Sequence, residues 1–418
     1  MSQSPGTTSG LTAVFRAEHG RVVAGLARRF GDLDLAEDAT GEALLVAAER
    51  WPVDGVPPNP GGWLTTVASR KALDRIRRET RRQDKYAEVA RMDDRLGDDP
   101  PEPTGPVEDD RLRLVFTCCH PALAPENRVA LTLRLLGGLT VAEIAAAFLV
   151  PETTMAQRIT RSKQKIRAAG IPYRIPRAAD LPARLGAVLA VIYLVFNEGY
   201  LGTSGEAQRS ELTGEAIRLA RQLREMVAGT PSLGPQPEVV GLLALMLLTE
   251  SRSAARVQDG VLVPLDEQDR TRWDPVLIDE GHRLVRQCLA LNRPGPYQVQ
   301  AAINAVHTDA LDASMTDWSQ VLALYDQLMV LTPTPVVALN RAVAVAEVDG
   351  PGVALALVDQ LDLSGYHAWQ ATRADLLRRL RRPDEARAAY DRAIDLAGNE
   401  AEQAFLRGRR DALPSPDA

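Results

Sequence analysis

The fold of this chain is decided by residues 139–167, LTVAEIAAAFLVPETTMAQRITRSKQKIR. Thr140 and Glu143 precede an apolar run at the spacing of a capping box, in which each side chain bonds the backbone amide of the other residue. We predict that the helix begun there buries Ile144 and Phe148 and ends before a proline suited to opening the next helix. These residues therefore predict two helices joined by a short turn.

The second predicted helix places Met155, Ile159 and Ile166 on one apolar face. The residues that face outward are Thr153, Thr154, Gln157, Arg158, Arg161 and Lys165. Such a face can enter a major groove, with its first residues at base edges and its trailing cations at phosphates. The alternative is an ordinary helical hairpin with a solvated basic face.

Composition describes a globular protein of about two to four domains. The 418 residues carry a formal charge of −6, with 25% charged and 45% hydrophobic residues. A chain that is acidic as a whole can bind nucleic acid only through local basic patches. Since the sequence shows no phosphate-binding loop, zincin motif or nucleophile elbow, we do not predict an enzyme.

Cysteine usage and the apolar runs predict a cytoplasmic location. Three cysteines cannot build a disulfide framework. Cys118, Cys119 and His120 lack a second ligand pair at zinc-like spacing, so we predict no metal and no cofactor. The chain opens without the basic start and apolar core of a signal peptide. The longest apolar run, residues 185–196, is too short to span a bilayer, which predicts no membrane contact.

The first 90 residues read as three helices. An amphipathic helix is predicted over residues 11–30 and a second over residues 34–51, the latter with Asp34, Glu37, Asp38 and Glu42 near its start. Those carboxylates suggest either a well-capped surface helix or an acidic docking face for a basic partner. A constrained loop is predicted from Pro52 to Gly62, because Pro52 should not continue a helix.

The third predicted helix is basic. It starts at Trp63 and runs to Arg82. Its outward-facing cations include Arg70, Lys71, Arg75 and Arg78. A basic face of this kind is often simply exposed to solvent. Its position after an acidic helix and a proline-rich loop is the observation that favours a functional role.

An acidic linker and a long helical region follow. Residues 93–110 are acidic and rich in proline, as is typical of an extended linker. Far downstream, a short pattern around Asp326, Asp359 and Asp391 recurs at intervals of 33 and 32 residues. A period near 34 with paired helices indicates tetratricopeptide-type stacking, whose concave face usually holds a peptide or another domain. Coincidental similarity between helices is the alternative.

The order of these elements resembles the extracytoplasmic-function sigma factors of bacterial RNA polymerase. The stretches that carry the resemblance are DLAEDATGEALLVAAERW (34–51), GGWLTTVASRKALDRIRR (61–78) and residues 139–167. They are similar to sigma regions two and four and, with the linker, cover about the first 170 residues. The remainder resembles the subgroup with a long C-terminal extension that ends in tetratricopeptide-like repeats.

The resemblance implies an all-α fold, with two small helical sigma modules and a helical C-terminal domain built from helix pairs. The implied domains are a flexible tail (1–9), a region-two module (10–92), the linker (93–110), a region-four helix-turn-helix (111–170), a helical extension (171–310) and tetratricopeptide-like repeats (311–418).

The resemblance also implies partners and residue roles. Core RNA polymerase would dock on Asp34, Asp38 and Glu42. The minus-ten promoter element would be held by Asn59, Trp63, Arg70, Lys71, Arg75 and Arg78. The minus-thirty-five element would be read by Thr153, Thr154, Gln157, Arg158, Arg161 and Lys165. Contact between the C-terminal extension and the sigma modules is a further expectation.

Two functions follow from these patterns. The first is a sigma factor that directs promoter-specific initiation, with an extension that regulates or completes its activity in cis. The second is a stand-alone helix-turn-helix regulator with a sensor or partner-binding domain made of repeats. The second leaves the first 90 residues unexplained.

Overall fold

A computed structural model describes residues 5–84, 110–148, 150–171, 173–176, 179–201 and 210–414. These residues are almost entirely helical, which confirms the all-α fold class. The predicted acidic linker lies outside the described residues except for Asp110, which is the first residue of a helix.

The helices of the first half are α1 (Pro5–Phe30), α2 (Leu33–Asp54), α3 (Pro60–Asp84), α4 (Asp110–Cys118), α5 (Pro125–Leu135), α6 (Val141–Ala147), α7 (Glu152–Ala168), α8 (Leu181–Leu201) and α9 (Ser210–Ala228). Those of the second half are α10 (Pro237–Glu250), α11 (Ser253–Arg256), α12 (Pro275–Leu291), α13 (Pro296–Asp309), α14 (Trp318–Leu331), α15 (Pro335–Val348), α16 (Pro351–Val358), α17 (His367–Arg379), α18 (Pro383–Leu396) and α19 (Glu400–Asp411). Two short strands, β1 (Val257–Gln258) and β2 (Val261–Leu262), pair antiparallel.

The chain forms two compact units. The first comprises Met1–Val195 and the second comprises Phe196–Ala418. The predicted boundaries near residues 92, 170 and 310 stay predictions.

The first two helices are longer than the sequence predicts. α1 begins at Pro5, so residues 5–9, which were expected in a flexible tail, are helical; a proline is well tolerated at a helix start. α2 runs through Pro52 to Asp54, and the prediction that Pro52 begins a loop was wrong. The helix continues for two residues beyond Pro52 and ends at Gly55, whose φ of 84° is left-handed.

The helix-turn-helix prediction is confirmed in its local detail. The Thr140 amide donates to Glu143 Oε2 over 2.8 Å, and the Glu143 amide donates to Thr140 Oγ1 over 3.2 Å, which makes a capping box. Ile144 is buried, whereas Phe148 is only partly buried. The predicted apolar face of α7 is buried at Met155, Ile159 and Ile166.

The helix α8 is the most apolar of the long helices. Within the described residues, Leu181–Tyr200 is the one stretch with the length and hydropathy of a membrane span, and half of it is buried inside the protein. A buried helix meets the same criteria, so this stretch is only a weak indication of a span.

Helices α14 to α19 pack each on the next along the chain. The recurring aspartates form ion pairs with an arginine of the following helix: Asp326 with Arg341 (2.6 Å), Asp359 with Arg373 (2.7 Å) and Asp391 with Arg410 (2.9 Å). The periodic sequence pattern therefore has a structural counterpart, since each repeat joins two successive helices through the same type of contact.

Candidate nucleic-acid interface

The outer face of α7 is accessible. Thr153, Gln157, Arg161 and Lys165 are exposed, and Thr154 and Arg158 are partly buried. All six lie apart from the buried stripe of Met155, Ile159 and Ile166. The structure thus collects the predicted base-reading and phosphate-holding side chains on one surface of one helix.

Two other cations of α7 point elsewhere. Lys163 Nζ lies 3.0 Å from an oxygen of Asp34 in α2 and also pairs with Glu37 of that helix. Arg167 pairs with Asp32, which caps the same helix. These contacts were absent from the sequence-based site, although Lys163 and Arg167 stand one helical turn apart and therefore share a face that differs from the reading face.

Glu37 is the centre of this charged cluster. Its carboxylate accepts a 2.5 Å hydrogen bond from Arg134 Nε of α5 and pairs with Lys163. Burial raises the pKa of Glu37, but the charges of Lys163 and Arg134 outweigh it and bring the pKa below its ordinary value. Burial likewise lowers the pKa of Lys163, and Glu37 and Asp34 more than compensate, so the ammonium is held in its charged form.

The predicted minus-ten loop ends in a helix cap. Asn59 is exposed, and its Oδ1 accepts a 2.9 Å hydrogen bond from the Gly62 amide at the start of α3. Trp63 is partly buried, with its ring centroid 5.4 Å from that of Trp51, which in turn lies 5.4 Å from Phe15. Asn59 and Trp63 therefore fix the start of α3 at the rim of an aromatic cluster.

The acidic side of α2 and the basic side of α3 face one another. Arg75 Nη1 lies 2.6 Å from Asp38, and Lys71 Nζ lies 3.5 Å from Glu42. These are exposed ion pairs, and pairs of this kind contribute at most about 1 kcal/mol. Two of the predicted polymerase-docking carboxylates are thus paired with two of the predicted DNA-binding cations.

The remaining cations of α3 are more accessible. Arg70 and Arg78 are exposed, and Arg78 Nε donates to the Asp74 carbonyl over 3.2 Å. The sequence analysis assigned the acidic face of α2 to polymerase and the basic face of α3 to DNA. It could not reveal that these two faces pair with each other, because the pairing depends on how the two helices cross.

The adjacent cysteines belong to the core. Cys118 and Cys119 are both fully buried. Burial raises the pKa of the Cys119 thiol to about 12 and raises that of Cys118 well above its ordinary value, so both stay protonated. In the part of the chain that the structure describes, no group of three His, Cys, Asp or Glu side chains is placed to hold a metal ion.

Three protein families match successive parts of the chain. Residues 14–82 match Sigma-70 region 2, and residues 113–166 match Sigma-70, region 4. These spans contain α1 to α3 and α4 to α7 respectively, apart from the ends of the outermost helices. Residues 184–289 match a family of unknown function (DUF6596). No solved structure matches the chain.

Relatives agree with these matches. An uncharacterized protein of Rhizobium meliloti is 44% identical over 400 residues, which are 94% of this chain and 93% of that protein. The probable ECF RNA polymerase sigma factor SigI of Mycobacterium tuberculosis is 28% identical over 54% of this chain and 75% of its own length. The ECF RNA polymerase sigma factor SigK of Mycobacterium ulcerans is 30% identical over 35% of this chain and 78% of its own length. With both sigma regions present in order, the chain belongs to the ECF sigma factors of RNA polymerase.

Proposed function

We propose that this protein binds core RNA polymerase and directs it to a specific set of promoters, where transcription then starts. The observation that carries the proposal is the presence, in one compact unit, of two helical modules that match sigma regions 2 and 4. Each module presents a basic helix with exposed cations, α3 in the first and α7 in the second.

In this proposal α7 reads the minus-thirty-five element as duplex DNA. Thr153, Thr154 and Gln157 near its start face base edges, and Arg158, Arg161 and Lys165 follow along the backbone. The accessibility of this face supports the assignment, because a helix that enters the major groove must keep these side chains free of the protein core.

The region-2 module holds the minus-ten element. Asn59 lies on an exposed loop before α3, at the position where the family captures an unstacked base. Extruding a base costs a few kcal/mol, which contacts with the protein must return. Trp63 would shape this pocket, and Arg70, Lys71, Arg75 and Arg78 would hold the backbone of the strand.

Core polymerase docks, in this proposal, on the α2 carboxylates Asp34, Asp38 and Glu42. Each of the three is already in an ion pair within the chain, with Lys163, Arg75 and Lys71 respectively. Docking therefore replaces these ion pairs within the chain with contacts to polymerase. Polymerase binding by the variant Asp38→Ala/Glu42→Ala should be weakened, and Asp54→Ala, a change at an exposed carboxylate on another face of α2, is the control.

The C-terminal extension regulates or completes this activity in cis, and its last helices α14 to α19 act as a tetratricopeptide-like array. A chain that ends after Leu201 tests this role. It keeps α8, whose first part belongs to the first unit and whose Arg184 Nη2 donates to the Phe116 carbonyl over 2.7 Å. Lower transcription would mean that the extension completes the factor, higher transcription that it inhibits, and unchanged transcription would exclude both roles.

The proposed function is tested by run-off transcription. Purified core polymerase and the full-length chain are combined with DNA from upstream of its own gene neighbourhood. We expect a discrete transcript that requires both proteins and that is weakened in the Asp38→Ala/Glu42→Ala variant. Failure of the chain to bind core polymerase would overturn the proposal.

A further inference from the structure

The helices of the second unit form a circuit that closes on itself. From α12 onward each helix packs on the next, and the last one, α19, returns to pack against β2, which precedes α12 in the chain. An ion pair between Arg409 of α19 and Glu267, a few residues after β2, joins the same two segments. The helix array therefore partly encloses a space and does not end in an open groove.

A cavity of about 750 Å³ lies inside this circuit. Its wall is built from the segment after β2, the end of α13, the turn before α14, and the helices α14, α15 and α17. Pockets that bind small molecules usually have volumes of about 300 to 1,000 Å³. Segments that are distant in the sequence thus converge on a space of the size that a small molecule fills.

One part of the cavity wall is positively charged. Arg270 lines the cavity, and its Nη1 donates to the carbonyls of His307 and Ala310, each over 2.6 Å. Its guanidinium also lies over the Trp273 ring, 4.5 Å from the centroid. Of the carboxylates in the described part of the chain, only that of Asp312 acts on the pKa of Arg270, and burial lowers this pKa in spite of it. The guanidinium is therefore held in place by neutral groups and keeps its charge available.

A second guanidinium reinforces this charge from outside the cavity wall. Arg252 is partly buried, and its Nη2 donates to Asn304 Oδ1 over 2.8 Å. Its Nε is buried and has no hydrogen-bond partner among the described residues. Burial, followed by the charges of Arg252 and Arg270, lowers the pKa of His307 to about 4, so this imidazole of the cavity wall is neutral at pH 7. Two cations from different segments thus act on the same part of the wall.

The other charged side chains of the wall are compensated within the protein or screened by water. Arg379 Nη1 pairs with Glu347 over 2.6 Å, and Asp375 pairs with Arg378 over 2.6 Å. Asp266 is exposed, and solvent screens the charge of an exposed group. The uncompensated buried charge of the cavity is therefore positive, and it favours an anion.

Aromatic rings stand beside this charge. The rings of Trp318 and His307 meet edge to face, with their centroids 5.3 Å apart, and Tyr325 also lines the cavity. Leu265 and Val343 add apolar surface to the wall. Aromatic side chains stack favourably with other rings. The wall thus combines a cation with surfaces that suit a flat, apolar group.

We propose that this cavity binds a small aromatic molecule that carries a carboxylate or phosphate group. Arg270 holds the anionic group, because a guanidinium presents a fork of donors that matches both carboxylate and phosphate oxygens. The ring of the ligand lies against Trp318 and Tyr325. The site belongs to the second unit, and its existence does not depend on whether the chain directs transcription.

Two fluorescent probes that differ by one anionic group test the site on the full-length chain. Anilinonaphthalene sulfonate is an aromatic anion, and phenylnaphthylamine is the same molecule without the sulfonate. We expect the anionic probe to bind about tenfold more tightly than the neutral one, because a hydrogen bond to a charged group adds about this much affinity. Benzoate and phenyl phosphate should displace the anionic probe, and the tighter of the two identifies the preferred anionic group. Neutral benzamide should not displace it.

A charge variant and a volume variant place the binding in the cavity. Arg270→Gln should abolish the preference for the anionic probe, and Arg272→Gln, at an exposed arginine two residues further on, is the matched control. Val343→Phe adds volume at a lining position and should weaken both probes about tenfold. Val348→Phe, also exposed and on α15 but outside the cavity wall, is its control. The volume variant decides the test if the loss of the Arg270 hydrogen bonds disturbs folding.

Three outcomes would overturn the proposal. Equal affinity of the two probes for the unaltered chain would mean that the cavity does not select an anion. Binding of the anionic probe that is unaffected by both Arg270→Gln and Val343→Phe would place the probe elsewhere on the protein. Displacement by benzamide as effective as that by benzoate and phenyl phosphate, or no displacement by either anion, would exclude the proposed class of ligand.

Discussion

The Glu37 carboxylate of α2 and the Lys163 ammonium of α7 form an ion pair that joins the two sigma modules, with 11% of each side chain exposed. Arg134 Nε donates to the same carboxylate over 2.5 Å. One acidic side chain therefore neutralises two cations from different helices. Removing it would leave both cations partly buried beside one another.

The first prediction concerns this pair. Glu37→Gln should destabilise the first unit by roughly 2 to 4 kcal/mol, because breaking this buried ion pair leaves the charge of Arg134 uncompensated. Hydrogen–deuterium exchange in α2, α5 and α7 of the full chain measures the effect. Glu49→Gln, an exposed change in the same helix, should leave exchange nearly unaltered. Equal exchange in the two variants would show that Glu37 contributes nothing to the packing of the modules.

A second prediction is a loss of stability in mild acid. His19 is 7% exposed, and burial, reinforced by Arg134, lowers its pKa to about 4, although Glu37 opposes this. The unfolded chain has an ordinary histidine pKa near 6.5 and binds a proton more readily. The contribution of His19 to the free energy of unfolding is thus complete above pH 6.5. It falls by about 1.4 kcal/mol per pH unit as the pH is lowered toward 4.

The measurement is exchange in α1 between pH 7 and pH 5, corrected for the intrinsic exchange rate. We expect a loss of about 2 kcal/mol over this range. His19→Gln should remove most of that pH dependence, since Glu37, with its lowered pKa, titrates below this window. A variant that keeps the full pH dependence would assign it to another group.

The third prediction separates the two kinds of contact on α7. Gln157→Ala should weaken binding to the preferred minus-thirty-five duplex by roughly 1 to 3 kcal/mol and relax sequence preference at one position. Lys165→Ala should weaken binding to preferred and scrambled duplexes alike and reduce its dependence on salt. Binding of holoenzyme to both duplexes at several salt concentrations measures the difference. Gln287→Ala, the same change at an exposed position of α12 in the second unit, is the control.

Local patterns in the sequence predicted what depends on local geometry. The capping box of Thr140 and Glu143 and the buried stripe of α7 require only residues within one or two helical turns. The Glu37–Arg134 contact instead joins residues 97 positions apart. Nothing in the periodicity of either helix specifies such a pairing, because it is set by how the modules pack.

In the candidate site, too, the sequence predicted surfaces on single helices but not the contacts between helices. The sequence identified the basic outer face of α7 and the carboxylates of α2 as surfaces. It did not reveal that Asp38 faces Arg75 or that Lys163 turns away from the reading face, since both facts need the crossing of two helices. The course of α2 through Pro52 also escaped prediction, because a proline ordinarily ends a helix and this helix continues for two residues beyond it.

The last prediction concerns the second unit. Gly241 lies in α10 where that helix crosses α13, and an added Cβ would lie 2.8 Å from the Gln298 amide nitrogen and 2.9 Å from its Cα. Since backbone cannot move aside as a flexible side chain can, Gly241→Ala should destabilise the unit by about 1 to 3 kcal/mol. Gly214→Ala in α9 is the matched control, because a Cβ there meets no atom within 4 Å. It should stabilise its helix by up to about 1 kcal/mol. Calorimetry of the full chain should therefore show a melting transition lowered by about 5 °C in the first variant and slightly raised in the second. Equal shifts in the two variants would mean that α10 and α13 do not pack through their backbones at Gly241.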